Sequence, residues 1–274
     1  MFESMSHNFI EMAAVTDVGS VRQFNEDSIV TDPAIGVAIL ADGMGGHRAG
    51  EVASQMATQI ILKDLQARGG RFRTRAGQPS PMQATDQSIN RANQAIFEAA
   101  QAQSTYRGMG TTLALALFNG NRVVLGHIGD SRIYRLRGDV LQLLTRDDSL
   151  LRDQIERGLI SAADAGVSHN RSLVTQALGI GQSIRAHLRE DDASPGDIFL
   201  LCSDGLNDLV EDADIELIVS ALKTNLQLAA NHLVQAAKDN GGHDNVSVIL
   251  AKVQKPRLAA SLRRWFARRF GWLR

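Results

Sequence analysis

The chain has 274 residues, of which 44% are hydrophobic and 22% charged, as in an ordinary globular protein with one large domain or two small ones. Its single cysteine, Cys202, excludes an intramolecular disulfide and fits a reducing compartment. The formal net charge of −1 indicates no nucleic-acid partner, yet it hides an asymmetry. Residues 255–274 hold seven basic and no acidic side chains, whereas residues 1–254 carry 22 basic against 30 acidic ones.

The N-terminal sequence, MFESMSHNFIEM, contains acidic residues and no long apolar run, so we expect no signal peptide. No stretch of 18 consecutive apolar residues occurs, so we expect no membrane span. The sequence therefore predicts a cytoplasmic protein.

Seven apolar runs have the length and alternation of β-strands. They are Phe9–Thr16, Ile35–Leu40, Thr111–Phe118, Arg122–Ile128, Arg132–Arg137, Ile198–Cys202 and Val246–Val253. Arg137-Gly138-Asp139 predicts a hairpin turn after the fifth run.

Five segments have helical periodicity. They are Gly50–Gln66, Thr85–Gln101, Ser149–Gly158, Asp212–Lys223 and Leu226–Asn240. Between the first two, the Gly-, Pro- and Arg-rich segment Ala67–Pro81 predicts an exposed loop. Because the strands cluster in hairpins and the helices come in pairs, the pattern favours an antiparallel α+β fold over a doubly wound parallel sheet.

Four aspartates lie at the ends of predicted strands. Asp42, Asp130 and Asp204 each follow an apolar run and adjoin a glycine, and Asp244 directly precedes the last strand. Asp-Gly is a common turn signal, so a turn would explain any one of them. Four carboxylates gathered at one sheet edge would repel one another unless a cation were bound. An all-oxygen ligand set suits Mg²⁺ or Mn²⁺ rather than Zn²⁺.

Other catalytic schemes lack their residues. No G-x-S-x-G nucleophile elbow occurs, and Gly108-Met109-Gly110-Thr111-Thr112 lacks the lysine of a P-loop. Cys202 is followed six residues later by Asp208 rather than by an arginine that could hold a phosphate, so we expect a plain core cysteine. Metal-assisted hydrolysis is the best-supported class of reaction.

Six short motifs follow one another between about residues 16 and 250. They are Arg22-Gln23-Phe24-Asn25-Glu26-Asp27, Ala41-Asp42-Gly43-Met44-Gly45-Gly46-His47, Gly108-Met109-Gly110-Thr111-Thr112, Gly129-Asp130-Ser131-Arg132, Ser203-Asp204-Gly205 and Asp244-Asn245. This series resembles the bacterial form of the metal-dependent Ser/Thr protein phosphatases of the protein phosphatase 2C type (PPM family).

The resemblance implies an α-β-β-α four-layer sandwich, with two mainly antiparallel sheets flanked by helix pairs and the metals at one end. It implies a catalytic domain over residues 8–254, with a flap at about 148–180 beside the active site, and a separate basic tail over 255–274.

The resemblance also implies roles for the site residues. Asp42 would bridge two Mn²⁺ or Mg²⁺ ions, the Gly43 carbonyl would bind one, Asp204 and Asp244 would bind the other, Glu26 and Asp27 would act through water, and Asp130 with Asp204 would form a weaker third site. Two such ions would share a water, lower its pKa and direct hydroxide at phosphorus. Arg22 would bind the phosphate oxygens of the substrate, with a surface salt bridge as the alternative.

Two positions depart from the family pattern. Many eukaryotic relatives have a histidine directly after the Asp-Gly, where this chain has Met44; His47 instead matches the bacterial spacing. We expect His47 to act as general acid, with an exposed loop histidine as the alternative. Bacterial relatives often have a histidine where Asp148 stands, so the resemblance assigns Asp148 no role.

The tail sequence RLAASLRRWFARRFGWLR predicts a short basic amphipathic helix. Such a helix would bind a membrane surface or a partner, or would pack on the acidic body; the pattern leaves these alternatives open. We expect a monomer.

The function expected from all of these features is hydrolysis of phosphoserine and phosphothreonine in proteins, opposing a bacterial Ser/Thr kinase. The alternative is a catalytically weak scaffold module that binds phosphoproteins. The presence of Asp42, Asp204 and Asp244 favours the enzyme.

Overall fold

A computed structural model describes residues 10–45, 49–68, 79–160 and 173–254. Its strands are β1 Ile10–Asp17, β2 Asp27–Asp32, β3 Val37–Met44, β4 Gly110–Thr111, β5 Leu113–Asn119, β6 Arg122–Ile128, β7 Arg132–Arg137, β8 Val140–Leu143, β9 His187–Asp192, β10 Ile198–Cys202 and β11 Val246–Val253. Its helices are α1 Ala49–Ala67, α2 Pro81–Ala102, α3 Leu150–Glu156, α4 Asp204–Asn207, α5 Asp212–Ala221 and α6 Leu226–Asp239.

The strands form two antiparallel sheets. One has the order β1-β11-β10-β7-β8, and the other has the order β2-β3-β5-β6-β9, with β4 paired to the end of β3. Sequential strands joined by short turns, such as β5–β6 and β7–β8, pair directly. The predicted antiparallel α+β fold is confirmed.

The alternation of side chains along the strands builds four layers. In β10, Phe199 and Leu201 face the other sheet, and Leu200 faces α5 and α6. In β3, Leu40 lies between the sheets and Ile39 packs under α1 and α2. Both faces of these central strands are therefore buried, and each sheet carries a helix pair on its outer face.

Helix ends follow their capping residues. Ser80 caps α2 through a reciprocal pair of hydrogen bonds with Gln83, and Pro81 occupies the first turn. The helix therefore begins at Pro81, four residues before the predicted start at Thr85.

None of the helices within the described ranges is both long and apolar enough to cross a lipid bilayer.

Several elements were not predicted from the sequence, among them the short strand β8 that follows the predicted hairpin turn. Strand β9 has the sequence HLREDD and strand β2 has DSIVTD, and both lie at the edge of their sheet, where few positions need to be apolar. The short helix α4 spans a single turn, which is too short to show periodicity. The predicted loop Ala67–Pro81 lies largely outside the described residues, as does the whole tail.

The interpretation of Asp42-Gly43 as a turn is wrong. Both residues belong to β3, where Asp42 pairs with Asp27 of β2 and Gly43 pairs with Thr111 of β4. The strand continues because β4 and β2 supply backbone partners on both of its sides beyond the apolar run.

Candidate metal centre

The candidate site lies where several central strands end. Strands β10 and β11 are antiparallel, with Cys202 opposite Val248, so the end of β10 lies beside the start of β11. This pairing brings Asp204, two residues after β10, near Asp244, two residues before β11. In the second sheet, Asp42 near the end of β3 occupies the corresponding place.

One open cleft contains most of the site residues expected from the sequence. It is lined by Arg22, Glu26, Asp42, Gly43, Met44, Gly45, Thr112, Asp130, Leu173, Val174, Asp204, Asp244 and Asn245. Asp27 lies below its floor as the register partner of Asp42. His47 lies outside the described residues, so its role as general acid stays a prediction.

The aspartates of the cleft are crowded by like charges. The pKa of Asp42 is raised well above its ordinary value by burial and by the neighbouring charges of Asp27 and Asp204. Burial together with Asp130 and Asp244 raises the pKa of Asp204 in the same way. Without a compensating cation, these groups would resist being ionised together.

Three further acids at the site share this property. Burial raises the pKa of Asp27 to about 6, and burial with the charge of Asp147 raises the pKa of Asp130 to about 7. Burial also raises the pKa of Glu26. Five carboxyl groups of one region are thus all held in an environment that favours neutralisation of their charge.

Several carboxylate oxygens of the site lack a partner. Glu26 Oε1, Asp27 Oδ1 and Asp204 Oδ1 are shielded from solvent without a hydrogen bond. Buried polar atoms are nearly always paired, so unpaired acceptors concentrated in one cleft need a ligand that accepts their lone pairs. A hard divalent cation with oxygen preference fits this donor set.

Asp244 differs from the other acids because it faces a cation of the protein. Its Oδ2 accepts a hydrogen bond from Arg22 Nη2 at 2.7 Å, and both side chains are partly exposed. Within the described residues, no three His, Cys, Asp or Glu side chains form a closed metal-ligand cluster. The fit to a cation therefore rests on the unpaired oxygens and the crowded charges.

The backbone around Asp42 is fixed by two threonines. Thr112 Oγ1 accepts a hydrogen bond from the Asp42 amide at 3.0 Å, and Thr111 Oγ1 donates to the Asp42 carbonyl at 2.8 Å. Gly43 has no room for a side chain, since a Cβ would lie 2.2 Å from the carbonyl oxygen of Gly50 in α1. Asp42 thus lines the cleft from a strand end whose backbone is held in place.

Asn245 holds the loop that carries Arg22 and Glu26. Its Oδ1 accepts from the Glu26 amide at 2.8 Å, and its Nδ2 donates to the carbonyls of Val18 and Phe24 at 3.0 Å each. One amide side chain therefore binds three points of the segment preceding β2.

Ser203 links Asp27 to strand β11. Its hydroxyl donates to Asp27 Oδ2 at 2.9 Å and accepts from the Ser247 amide at 3.0 Å. Thr112, Ser203 and Asn245 lie within the sequence motifs, but the motifs predict no role for them because their partners are distant in sequence. Their adjacency to the candidate ligands was the only signal available.

Cys202 is a core residue. It is fully buried, and burial raises the pKa of its thiol to about 12. A thiol in this state is a poor nucleophile at neutral pH. The predicted structural role of Cys202 agrees with this environment.

Comparison with known proteins adds an independent finding. The family model described as "Protein phosphatase 2C" matches residues 19–237. The chain is 39% identical over 246 residues to the Ser/Thr protein phosphatase PstP of Mycobacterium tuberculosis, covering 89% of this chain and 45% of PstP. It is 35% identical over 240 residues to the Ser/Thr phosphatase stp of Listeria innocua, covering 86% of this chain and 93% of that protein.

Among solved structures, the fold is similar to the catalytic domain of PstP in complex with two manganese ions. The TM-score is 0.78 at 35% identity, over 90% of this chain and 99% of the PstP domain. The chain therefore spans less than half of full-length PstP but matches nearly all of its catalytic domain.

These matches establish that the chain belongs to the protein phosphatase 2C family. The family predicted from the six motifs is confirmed, and so is the fold class expected from it. The relatives carry the names of Ser/Thr protein phosphatases, which is the class of enzyme predicted from the sequence.

Proposed function

We propose that this chain hydrolyses phosphoserine and phosphothreonine in proteins with the help of Mn²⁺ or Mg²⁺. The observation that carries the proposal is the set of crowded, partly unpaired carboxylates at the floor of an open cleft with a guanidinium at its rim. The manganese ions of the PstP structure support the choice of metal.

Different residues of the cleft would bind different metal ions. Asp42, Asp204 and Asp244 with the Gly43 carbonyl would hold two ions, Asp130 with Asp204 would hold a third, and Glu26 and Asp27 would act through water. When bound, such ions supply Lewis acidity and lower the pKa of water near neutrality.

Arg22 binds and orients the substrate in this proposal. Its guanidinium is about half exposed and already engages a carboxylate oxygen of Asp244. A phosphoester also offers negatively charged oxygens that accept hydrogen bonds from a guanidinium, so it can compete with Asp244 for Arg22. Asn245 keeps Arg22 near the cleft by holding Val18 and Phe24 on both sides of it.

The shape of the site supports the proposed substrate class. The cleft is open to solvent and bordered by Leu173 and Val174, which suits a phosphorylated side chain on a protein surface. We infer that the substrates are products of a bacterial Ser/Thr kinase and that the protein acts as a cytoplasmic monomer. The tail, outside the described residues, would add a contact with a partner or with anionic lipid.

Hydrolysis of p-nitrophenyl phosphate and of a phosphothreonine peptide, each with Mn²⁺ and with EDTA, tests the proposal. We expect both activities with Mn²⁺ and neither with EDTA. Equal rates under the two conditions would refute a metal mechanism. Binding of the peptide without hydrolysis in Mn²⁺ would favour the scaffold alternative.

A second experiment tests the tail. Deletion of Lys255–Arg274 should leave hydrolysis of p-nitrophenyl phosphate unchanged and reduce sedimentation with anionic vesicles. Equal sedimentation of the full chain and the shortened chain would exclude the lipid contact.

A further inference from the structure

Asp148 is a buried carboxylate that the proposed mechanism does not use. It is only 3% exposed and lies in the segment between β8 and α3. Three parts of the chain contact it: the turn before Asp130, the segment at residues 175–176, and the edge strand β9.

The first contact is reciprocal. The Asp148 amide donates to the Gly129 carbonyl at 2.7 Å, and Asp148 Oδ2 accepts from the Gly129 amide at 3.1 Å. Gly129 has a positive φ of 97°, and a Cβ there would lie 2.7 Å from Thr112 Cγ2. Asp148 therefore fixes the turn whose next residue is Asp130, the candidate ligand of the third metal site.

The second contact reaches one wall of the cleft. The Thr175 amide donates to the Asp148 carbonyl at 2.7 Å, and the Leu150 amide donates to the Leu173 carbonyl at 2.8 Å. Ser149 and Val174 form an isolated β-bridge between these bonds. The segment from Leu173 onward is thereby tied to the chain around Asp148, and both Leu173 and Val174 line the cleft.

The third contact holds the other carboxylate oxygen. His187 Nε2 lies 2.9 Å from Asp148 Oδ1, and Gln176 Nε2 donates to the same oxygen at 3.4 Å. His187 is about half exposed on β9. The two oxygens of this carboxylate thus bind different segments, so the carboxylate cannot rotate without losing hydrogen bonds.

We infer that Asp148 is a positioning residue that couples the third metal site to the wall of the substrate cleft. The hydrogen bond from the Gly129 amide to one carboxylate oxygen sets the place of Asp130. The hydrogen bond from Gln176 to the other oxygen supports the backbone pairing at 173–175, which carries Leu173 and Val174. The inference rests on the proposed function. Residues that orient metal ligands from behind are worth about 10- to 100-fold in metal affinity or activity.

The test compares Asp148→Ala with Asp148→Asn in the full chain. Mn²⁺ binding is measured by titration calorimetry, and kcat and KM are measured separately with p-nitrophenyl phosphate and a phosphothreonine peptide. We expect Asp148→Ala to weaken the weakest Mn²⁺ site about tenfold and to raise KM for the peptide more than KM for the small ester. The tighter Mn²⁺ sites should keep their affinity.

Asp148→Asn should restore most of the Mn²⁺ affinity, because an amide oxygen can still accept from the Gly129 amide. Asp197→Ala is the matched control. Asp197 is also a buried carboxylate, and it accepts a hydrogen bond from the Ser194 amide and binds the cation of Arg137. It lies at the opposite end of β10, so its loss should lower stability and leave Mn²⁺ affinity and KM unchanged.

Unchanged Mn²⁺ affinity and KM in a folded Asp148→Ala variant would overturn the inference. If that variant does not fold, Gln176→Ala removes the side-chain contact between Asp148 Oδ1 and the segment that carries Leu173 and Val174. It should raise KM for the peptide without changing Mn²⁺ binding, and an unchanged KM would overturn the coupling to the cleft wall. Failure of the proposed function would appear differently, as a wild-type protein that binds Mn²⁺ but hydrolyses neither substrate.

Discussion

Strand β10 has a buried or partly buried aspartate at each end, and the two are treated in opposite ways. Asp197, before the strand, is 2% exposed, accepts two hydrogen bonds from Arg137 and one from the Ser194 amide. Asp204, after the strand, has one oxygen that is shielded from solvent without any partner, among other acids that raise its pKa.

The contrast separates a structural carboxylate from a functional one. Folding alone favours pairing every buried charge, as at Asp197. Unpaired acceptors beside like charges lower stability. The end of the sandwich that holds Asp204 therefore trades stability for the ability to bind a cation that is not part of the chain. The same strand supplies both environments, which makes the two residues a controlled pair.

The largest expected effect is a difference in kcat between variants of Asp204 and Asp197. Asp204→Asn should lower Mn²⁺-dependent kcat at least about a hundredfold, because it removes a ligand of ions whose contribution is several kcal/mol. Asp197→Asn should keep the specific activity of the folded protein. The check is kcat per folded molecule for both variants; similar losses in the two would mean that Asp204 acts only through the fold.

The next effect is the pH dependence of stability in EDTA. Burial raises the pKa of Asp27 to about 6 and that of Asp130 to about 7 in the folded state, from an ordinary value of 3.8. Between the ordinary and the raised pKa, each of these two groups binds more protons in the folded state than in the unfolded state. Their contribution to stability is therefore largest at low pH and is lost as the pH rises through the raised values. We expect the Tm to be roughly 5–10 °C lower at pH 8 than at pH 5.

Two controls sharpen the pH experiment. Asp130→Asn should flatten the loss of Tm, because one of the raised groups is gone. Mn²⁺ should stabilise the protein most at pH 8, where the ligands are ionised. A Tm in EDTA that stays level or rises from pH 5 to pH 8 would contradict the crowding of charge at this end.

The cations at the two ends provide the third comparison. Arg137→Ala should lower the free energy of unfolding by about 2 kcal/mol, because it leaves the buried Asp197 without its cation. Arg22→Ala should change it by less than about 0.5 kcal/mol, because Arg22 and Asp244 are both partly exposed. Urea unfolding in EDTA measures both variants.

The same Arg22→Ala variant should raise KM for the phosphoester, which Arg137→Ala should not do. A loss of stability in Arg22→Ala as large as that in Arg137→Ala would show that the Arg22–Asp244 pair is structural.

The sequence predicted the interior of this fold better than its edges. The predicted bounds Arg122–Ile128, Arg132–Arg137, Ile198–Cys202 and Val246–Val253 coincide with observed strands. Those strands are buried on one or both faces, so their apolar runs are long and end abruptly. The edge strand β9 is partly exposed and mostly polar, so no local signal distinguishes it from a loop.

For the candidate site, the sequence predicted residue types but not their supports. Asp42, Asp130, Asp204 and Asp244 line one cleft as expected. The bonds from Asn245 to the loop at 18–26 cross more than 200 residues of chain, and such bonds depend on strand register that no local pattern contains. The role of each predicted ligand, and that of His47, stays a prediction.

The smallest effect concerns Asp204 in the absence of metal. If this carboxylate is held against its own preference, Asp204→Asn should raise the free energy of unfolding in EDTA by about 1 kcal/mol, because the amide carries no charge and can donate to neighbouring acids. Asp197→Asn should lower it, because Arg137 then faces a neutral group. Mn²⁺ should reverse the order of wild type and Asp204→Asn, since only the wild type gains the full binding free energy. If Asp204→Asn destabilises the metal-free protein as Asp197→Asn does, the two ends of β10 are alike and the unpaired oxygen of Asp204 costs nothing.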